Sequence, residues 1–273
     1  MTGSSPEAIE EALSRLDTTV AHSARVWNYL LGGKDHFAAD RETGDLILRM
    51  FPGIAQLARL QRRFLVRAVR YLAGEAGIGQ FLDIGTGLPT ADNTHEVAQT
   101  VSPKSRIVYT DNDPMVLVHA KALLTSAPGG ATSYIEADVR APDTILAKAA
   151  RTLDFGQPVA LIMLGIMGQL PDSDQPHALA RQYLDALPGG SYLALCDGTG
   201  TSPALNQAIA VYNQNSASSY HLRSPERIGA FFDGLTPVPP GLVPASQWRS
   251  EGEDTVGEPA GEDATICGIG FKQ

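Results

Sequence analysis

A glycine turn next to an acid is the feature of the sequence with the clearest potential for chemistry. The stretch FLDIGTGLPT (81–90) begins as an apolar strand, carries Asp83, and then places Gly85, Thr86 and Gly87 in succession. Two glycines let a backbone bend sharply and let a ligand approach without meeting a Cβ atom. A carboxylate beside the turn would repel a pyrophosphate but suits a cationic amino group. We therefore expect an uncharged or zwitterionic ligand at this turn.

The residues after the turn depart from the fingerprint of dinucleotide-binding proteins. That fingerprint, G-x-G-x-x-G, would place a third glycine or an alanine at position 90, where this chain has Thr90 after Pro89. Asn93 and Glu96 have the spacing of a capping box, so the next helix is expected to satisfy its own first N–H groups. Together with the acid before the turn, Thr90 disfavours a nicotinamide-dependent oxidoreductase.

A second pair of polar residues follows the next predicted strand, in YTDNDPMV. Asp113 and Pro114 have the pattern of an N-cap and a first helical residue. Asp111 has no such role, and it lies about 20 residues beyond the turn, where a carboxylate can accept from both hydroxyl groups of a ribose. No arginine for a 2′-phosphate occurs between residues 107 and 120. A solvated loop acid is the alternative interpretation of Asp111.

A third acid ends the following predicted strand, in YIEADVR. Asp138 could accept a hydrogen bond from an exocyclic adenine amine, and Val139 could flank the ring. The alternative for Asp138 is a local cap on the segment that follows it.

Alternating strands and helices place these residues from position 80 onward. Because the strands are almost wholly apolar, the pattern predicts a doubly wound α/β fold, whose mostly parallel sheet is covered on both faces. The strands are predicted at 80–84, 106–110, 132–137, 158–164 and 191–197, and the helices at 94–101, 114–124, 144–153, 175–187 and within 202–233. Two further strands near the C-terminus would give a seven-stranded sheet, and prolines keep one of them from its middle.

Residues 1–77 are predicted to be a helical addition, a lid or cap on a Rossmann-like core at 78–273. Within it, periodicity predicts helices near 23–31, at 38–50 and at 53–77. The last of these carries Arg59, Arg62, Arg63, Arg67 and Arg70. We interpret them as a solvated helix face rather than a surface for an acidic partner.

Bulk composition excludes several classes of protein. The 273 residues hold 21 basic and 30 acidic side chains, a net charge of −9, which argues against a general nucleic-acid binder. No signal peptide and no run of about 18 apolar residues are present, so neither secretion nor a membrane span is expected. The spacing of Cys and His predicts no metal site. A cytoplasmic location is the default expectation.

Five longer stretches resemble the DUF574 family, the S-adenosyl methyltransferase family within the class I methyltransferases. They are ARVWNYLLGGKDHFAADRE, FLDIGTGLPTADNTHEVAQ, VYTDNDPMVLVHAKALL, PGGSYLAL and FFDGLTPVPPGLV. The resemblance covers about residues 15–272 and implies S-adenosylmethionine as cofactor and S-adenosylhomocysteine as product. The cofactor positions it implies are Asp83, Gly85, Thr86, Gly87, Asp111, Asn112, Asp138 and Val139. Pro89 departs from the generic class I pattern, which has a small residue there.

The catalytic base and the methyl acceptor are less well indicated. The candidate bases are Tyr29, His36 and His221, with Tyr220 beside the last and His95 expected to be structural. Lys34, in the glycine-flanked segment YLLGGKD, could reach a carboxylate if that segment forms a lid.

The segment LGIMGQLPD (164–172) lacks the Asn/Asp-Pro-Pro-Tyr box of enzymes that methylate amide or base nitrogens. Together with the acidic net charge, this absence favours a small-molecule acceptor with an oxygen or nitrogen nucleophile. The small residues of the segment favour an apolar acceptor. A non-catalytic regulator that binds S-adenosylmethionine is the alternative function. The sequence does not indicate an oligomeric state.

Overall fold

A seven-stranded sheet forms the centre of the computed structural model, which describes residues 14, 16–123, 126–250 and 263–273. The strands are β1 (Gln80–Ile84), β2 (Arg106–Asp111), β3 (Ala131–Glu136), β4 (Ala160–Leu164), β5 (Tyr192–Gly198), β6 (Thr236–Pro237) and β7 (Thr265–Phe271). Their order is β3-β2-β1-β4-β5-β7-β6. The predicted fold class is confirmed.

Five parallel strands bring their carboxyl ends to one edge of this sheet. Leu82 of β1 pairs with Val108 of β2 on one side and with Leu161 of β4 on the other. The order of strands therefore reverses between β1 and β4, which is where open α/β sheets bind ligands. Strand β7 runs antiparallel to β5, and among the described residues the short β6 pairs only with β7, so its proline lies at the edge of the sheet, as predicted.

Helices cover both faces of the sheet. They are α1 (Ser23–Leu30), α2 (Ala38–Met50), α3 (Ile54–Gly74), α4 (Thr94–Val101), α5 (Pro114–Leu123), α6 (Pro142–Ala149), α7 (Pro176–Asp185), α8 (Pro203–Asn215) and α9 (Pro225–Gly229). Alternate strand residues point to opposite faces. Phe81 and Ile107 therefore pack with helices α1 to α3, whereas Leu82 and Val108 pack with α6 and α7.

The N-terminal helices share a hydrophobic core with the sheet. Val26, Ile47 and Phe64, one from each of α1, α2 and α3, belong to the same buried cluster as Phe81 of β1. The first 13 residues of the predicted addition lie outside the described residues. A separate unit ending at residue 77 stays a prediction.

The interpretation of the arginines on α3 as a solvated face is wrong for two of them. Arg67 donates from Nε to the Trp248 carbonyl, at 2.7 Å, and from Nη2 to the Ala245 carbonyl, at 2.5 Å. It thereby joins α3 to the segment before β7. Arg62 reaches the candidate site described below, whereas Arg59 and Arg70 are exposed.

The helix predicted within 202–233 is interrupted by a loop at residues 216–224. Asn213, in the last turn of α8, binds the backbone of Tyr220 through its side chain: Oδ1 accepts from the Tyr220 N–H at 2.7 Å, and Nδ2 donates to the Tyr220 carbonyl at 2.9 Å. This folds the loop back toward the sheet. Ser224 then caps α9, where its side chain accepts from the Arg227 N–H.

No helix in the described ranges combines the length and the apolar composition that a membrane span requires.

Candidate active site

A cavity of about 690 Å³ lies over the carboxyl ends of the parallel strands, within the usual size range of small-molecule sites. Helices α1, α2, α3 and α8 supply other parts of its lining. The structure brings together all eight residues at which the sequence predicts cofactor binding: Asp83, Gly85, Thr86, Gly87, Asp111, Asn112, Asp138 and Val139.

The glycine turn is built as its sequence requires. Gly85 and Gly87 have φ angles of +73° and +67°, a region that side chains with a Cβ rarely adopt. A Cβ atom on Gly85 would lie 2.7 Å from the Cβ of Ile166. One on Gly87 would have no described atom within 4 Å, so the space beside Gly87 is open to a ligand.

Asp111 is the acceptor that fixes this turn. Its Oδ2 accepts from the Gly87 N–H at 2.8 Å and its Oδ1 from the Asp113 N–H at 3.0 Å. The residue is 9 % exposed, so the alternative of a solvated loop acid is wrong. Burial raises the pKa of Asp111, while the two N–H groups act against that rise. Because a carboxylate has about four lone-pair sites, two remain for further donors.

Asp83 is a buried carboxyl group at the end of β1. Its Oδ2 accepts from the Thr94 hydroxyl at 2.6 Å, at the start of α4. Burial raises the pKa of Asp83 to about 6, although the Thr94 hydrogen bond and the Arg62 charge oppose the rise. A cationic ligand group beside this carboxylate would offset the cost of its charge.

Asp138 makes the local contacts that the alternative interpretation predicts. Its Oδ1 accepts from the Arg140 N–H at 2.8 Å, and its Oδ2 pairs with Arg140 Nη1 at 2.9 Å. Its side chain is 38 % exposed and it also lines the cavity, so a ligand amine could still reach it. Val139 is buried beside it, and its carbonyl accepts from the Tyr183 hydroxyl at 2.8 Å.

Two further residues of the cavity lining, Arg62 and His22, were missed by sequence reasoning. Arg62 Nη2 donates to the carbonyls of Ala91 and Asp92, at 3.0 and 3.1 Å, and so holds the loop that follows the glycine turn. His22 Nδ1 lies 2.9 Å from Asp113 Oδ2. Both come from the N-terminal helical region, and no spacing in the sequence indicates contacts across such distances.

Of the three candidate bases, the cavity lining in the described part of the chain includes His221 but not Tyr29 or His36. The Tyr29 hydroxyl donates to Asp45 Oδ1 at 2.5 Å, and its ring packs edge-on against His36. Lys34 is exposed and also lies outside the lining. We therefore do not propose Tyr29, His36 or Lys34 as catalytic.

His95 has the structural role expected for it. It is buried in α4, and its Nδ1 lies 2.9 Å from the hydroxyl of Tyr109. Within the described residues, no group of His, Cys, Asp and Glu side chains could hold a metal ion.

Tyr220 is brought to the cavity by the loop after α8. Its hydroxyl donates to Asp197 Oδ1 at 2.9 Å and accepts from the Gly198 N–H at 3.2 Å. These contacts place a tyrosine–aspartate pair at the carboxyl end of β5, next to His221.

Comparison with known proteins identifies the family. A family model described as "S-adenosyl methyltransferase" matches residues 9–273. Among solved structures, a DUF574 family protein from Streptomyces avermitilis MA-4680 is 41 % identical with a TM-score of 0.91, covering 95 % of this chain and 100 % of its own. A Thermobifida fusca YX protein, provisionally named a methyltransferase, is 39 % identical with a TM-score of 0.86, covering 100 % of both chains.

A more distant structure shares the fold alone. The plantazolicin methyltransferase BpumL, solved with S-adenosylhomocysteine, is 10 % identical with a TM-score of 0.52, covering 98 % of this chain and 99 % of its own. Among curated proteins, none matches this chain. The long family match, the two close structures and the sheet order agree, and the chain belongs to the S-adenosyl methyltransferase family (DUF574), as an enzyme with a class I fold that uses S-adenosylmethionine.

Proposed function

We propose that this enzyme transfers the methyl group of S-adenosylmethionine to a small molecule with an oxygen or nitrogen nucleophile. The observation that carries the proposal is the composition of the cavity, which is lined both by acids and by apolar side chains. The acids near the ends of β1, β2 and β3 form its acidic half, and its apolar chamber is the part lined by Leu164, Leu205, Ile209 and Leu222, which belong to one hydrophobic cluster.

The acidic half fits the cofactor. Asp83, whose charge burial disfavours, would pair with the amino group of the methionine part. Asp111 has two lone-pair sites left for the ribose hydroxyls. Asn112, Asp138 and Val139 would surround the adenine, and the bare turn at 85–87 would leave room for the nucleoside.

The bound cofactor supplies a methyl group that its sulfonium already makes electrophilic. The chain's own residues must therefore orient the acceptor and exclude water from it. The apolar chamber suits that task, because it can bind the apolar body of an acceptor beside the acidic half. A net charge of −9 supports a small molecule over a nucleic acid as acceptor.

Calorimetry and a labelled-methyl assay test this function. We expect S-adenosylhomocysteine to bind and NAD not to bind. Micromolar binding of NAD with no response to S-adenosylhomocysteine would reject the cofactor assignment.

The acceptor is tested by incubating the enzyme with methyl-labelled S-adenosylmethionine and a cell extract that is separated afterwards by size. Label should appear in the small-molecule fraction. Label in the protein or nucleic-acid fraction would contradict the small-molecule acceptor. Binding without any labelled product would support the alternative of a non-catalytic regulator.

A further inference from the structure

The loop at 216–224 places an aromatic hydroxyl between the ends of β4 and β5. A Cβ atom on Gly168 would lie 2.3 Å from the ring of Tyr220, so the ring occupies space that only glycine leaves free. A Cβ on Gly198 would lie 3.6 Å from the Tyr220 hydroxyl. The Tyr220 ring is therefore held between the turn after β4 and the end of β5, and Tyr220 is one of the residues that line the cavity.

Asp197 lies behind this hydroxyl and is almost completely buried. It is 3 % exposed, and its Oδ1 accepts from Tyr220 and, at 3.3 Å, from the Gly168 N–H. Its Oδ2 accepts no hydrogen bond from the described residues. A buried carboxylate with an unused oxygen is costly and calls for an explanation. Among the described residues Asp197 does not line the cavity itself, whereas Tyr220, which donates to it, does.

The surroundings of Asp197 adjust its strength as a base. Burial raises the pKa of Asp197 to about 7, while the Tyr220 hydroxyl, the Arg223 charge and the Gly168 N–H oppose the rise. The Arg223 guanidinium donates to the carbonyls of Met167 and Leu170, at 2.8 and 2.7 Å. A general base with a pKa near the working pH is the most effective kind.

We propose that Tyr220 and Asp197 form the proton-accepting site for the acceptor, and that the acceptor is a phenol-like hydroxyl on an apolar body. This inference rests on the proposed methyl transfer. The Tyr220 hydroxyl donates to Asp197 and accepts from Gly198, which leaves one lone pair for an acceptor O–H. The apolar chamber binds the body of the acceptor. A phenol is favoured because its O–H is acidic enough for a carboxylate relay, whereas an uncharged amine needs no base before it attacks.

The proposed step moves one proton and one methyl group. The acceptor O–H bond breaks, its proton passes to the Tyr220 oxygen, and the tyrosine proton passes to Asp197. The acceptor oxygen uses an electron pair to bond the methyl carbon, and the electrons of the carbon–sulfur bond stay on sulfur. The products are the methyl ether, the neutral thioether S-adenosylhomocysteine and a protonated Asp197. Tyr220 is thus the catalytic residue, and Asp197 acts through it as a positioning residue and final proton acceptor.

The test uses 4-nitrophenol with the whole chain saturated with S-adenosylhomocysteine at about pH 8, where the probe is largely an anion. Charged Asp197 disfavours a second anion at the Tyr220 hydroxyl, so binding should take up about one proton, which the probe and Asp197 share. Calorimetry in buffers of different ionisation enthalpy measures this uptake. Tyr220→Phe and Asp197→Asn should bind the probe about 10-fold or more weakly and take up less than one proton. Tyr192→Phe, which changes a tyrosine at the other end of β5 outside the cavity lining, is the control and should behave like the wild type.

The outcomes separate this inference from the proposed function. If the wild type does not bind S-adenosylhomocysteine, the proposed function fails. If it binds that compound but not the probe, or if Tyr220→Phe binds the probe with the same affinity and proton uptake as the wild type, only this inference is overturned. Retained binding of S-adenosylhomocysteine shows that a variant is folded. If Asp197→Asn does not fold, Tyr220→Phe alone decides the test.

Discussion

His22 Nδ1 lies 2.9 Å from Asp113 Oδ2, so the residue before helix α1 contacts the acid that caps helix α5. Asp113 Oδ1 accepts from the Met115 N–H at 2.8 Å, which is the N-cap role predicted for it. Its own N–H donates to Asp111. One buried carboxylate thus joins the N-terminal segment, a helix start and the carboxylate next to the glycine turn. Burial acts to raise the pKa of Asp113, but His22 in particular lowers it overall.

Asp113→Ala should therefore lower the free energy of unfolding by more than a lost cap. The cap is worth about 1 kcal/mol, and the lost contact with His22 adds to it, so we expect a loss of about 1–3 kcal/mol. Because the pKa of Asp113 is lowered on folding, the loss should shrink as the pH falls below about 4. Denaturant unfolding at several pH values measures this. A variant with full stability that cannot bind S-adenosylhomocysteine would reverse the roles given to Asp111 and Asp113.

Asp111→Ala should weaken S-adenosylhomocysteine binding rather than the fold as a whole. Lost hydrogen bonds to a charged acceptor cost about 1.5–3 kcal/mol, or about 10- to 150-fold in Kd. The turn at Gly87 also loses its acceptor, which acts in the same direction.

Calorimetry measures this effect against a matched control, Asp92→Asn. Asp92 lies in the same loop region outside the cavity lining, and Asn tolerates its φ of +57°. An unchanged Kd in folded Asp111→Ala would show that the ribose lies elsewhere.

Asp83→Asn should stabilise the protein without ligand at neutral pH. Burial raises the pKa of Asp83 from 3.8 to about 6, so its contribution to stability is complete below about pH 4 and is lost as the pH rises through 6. Above that range the charged form costs about 3 kcal/mol, which the amide avoids. Thermal unfolding should show a higher Tm for Asp83→Asn at about pH 8 and no difference at about pH 4. If the variant and the wild type had equal Tm values at both pH values, the burial argument would be contradicted.

The same carboxyl group should make cofactor binding depend on pH. Asp83 must be charged to pair with an ammonium group, so the affinity for S-adenosylhomocysteine should rise as the pH rises through about 6. Below that midpoint the change approaches about 10-fold per pH unit. Asp83→Asn should bind more weakly and lose this dependence. A variant that keeps the wild-type profile would show that another group titrates.

The sequence was sufficient to predict the acids of the site but not their partners. Asp83, Asp111 and Asp138 each lie within two residues of the end of a parallel strand. Because the carboxyl ends of such strands meet at one edge, order along the chain predicted proximity in space. The pairs His22–Asp113 and Tyr220–Asp197 join segments far apart in the chain. Such contacts depend on how loops return to the sheet, which periodicity does not determine.

The loop at 216–224 shows where the predicted elements fail. A helical pattern of apolar residues continues on both sides of this loop. The sequence gives no sign that Asn213 binds the backbone of Tyr220 and thereby turns the chain. Arg62 shows the same limit on a correctly predicted helix. Its position on α3 is clear from the sequence, but only the structure shows that the loop after the glycine turn covers it.

Arg62→Met should shift the pH dependence of cofactor binding. The Arg62 charge lowers the pKa of Asp83 against burial, so its removal should move the binding midpoint to a pH above about 6. The loop held at Ala91 and Asp92 would also lose two hydrogen bonds, which weakens binding at every pH. Calorimetric titration of S-adenosylhomocysteine across this pH range separates the two effects, because only the charge moves the midpoint. Arg70→Met, on the same helix but exposed, should leave both unchanged. A weaker affinity with an unmoved midpoint would mean that Arg62 acts on the loop alone.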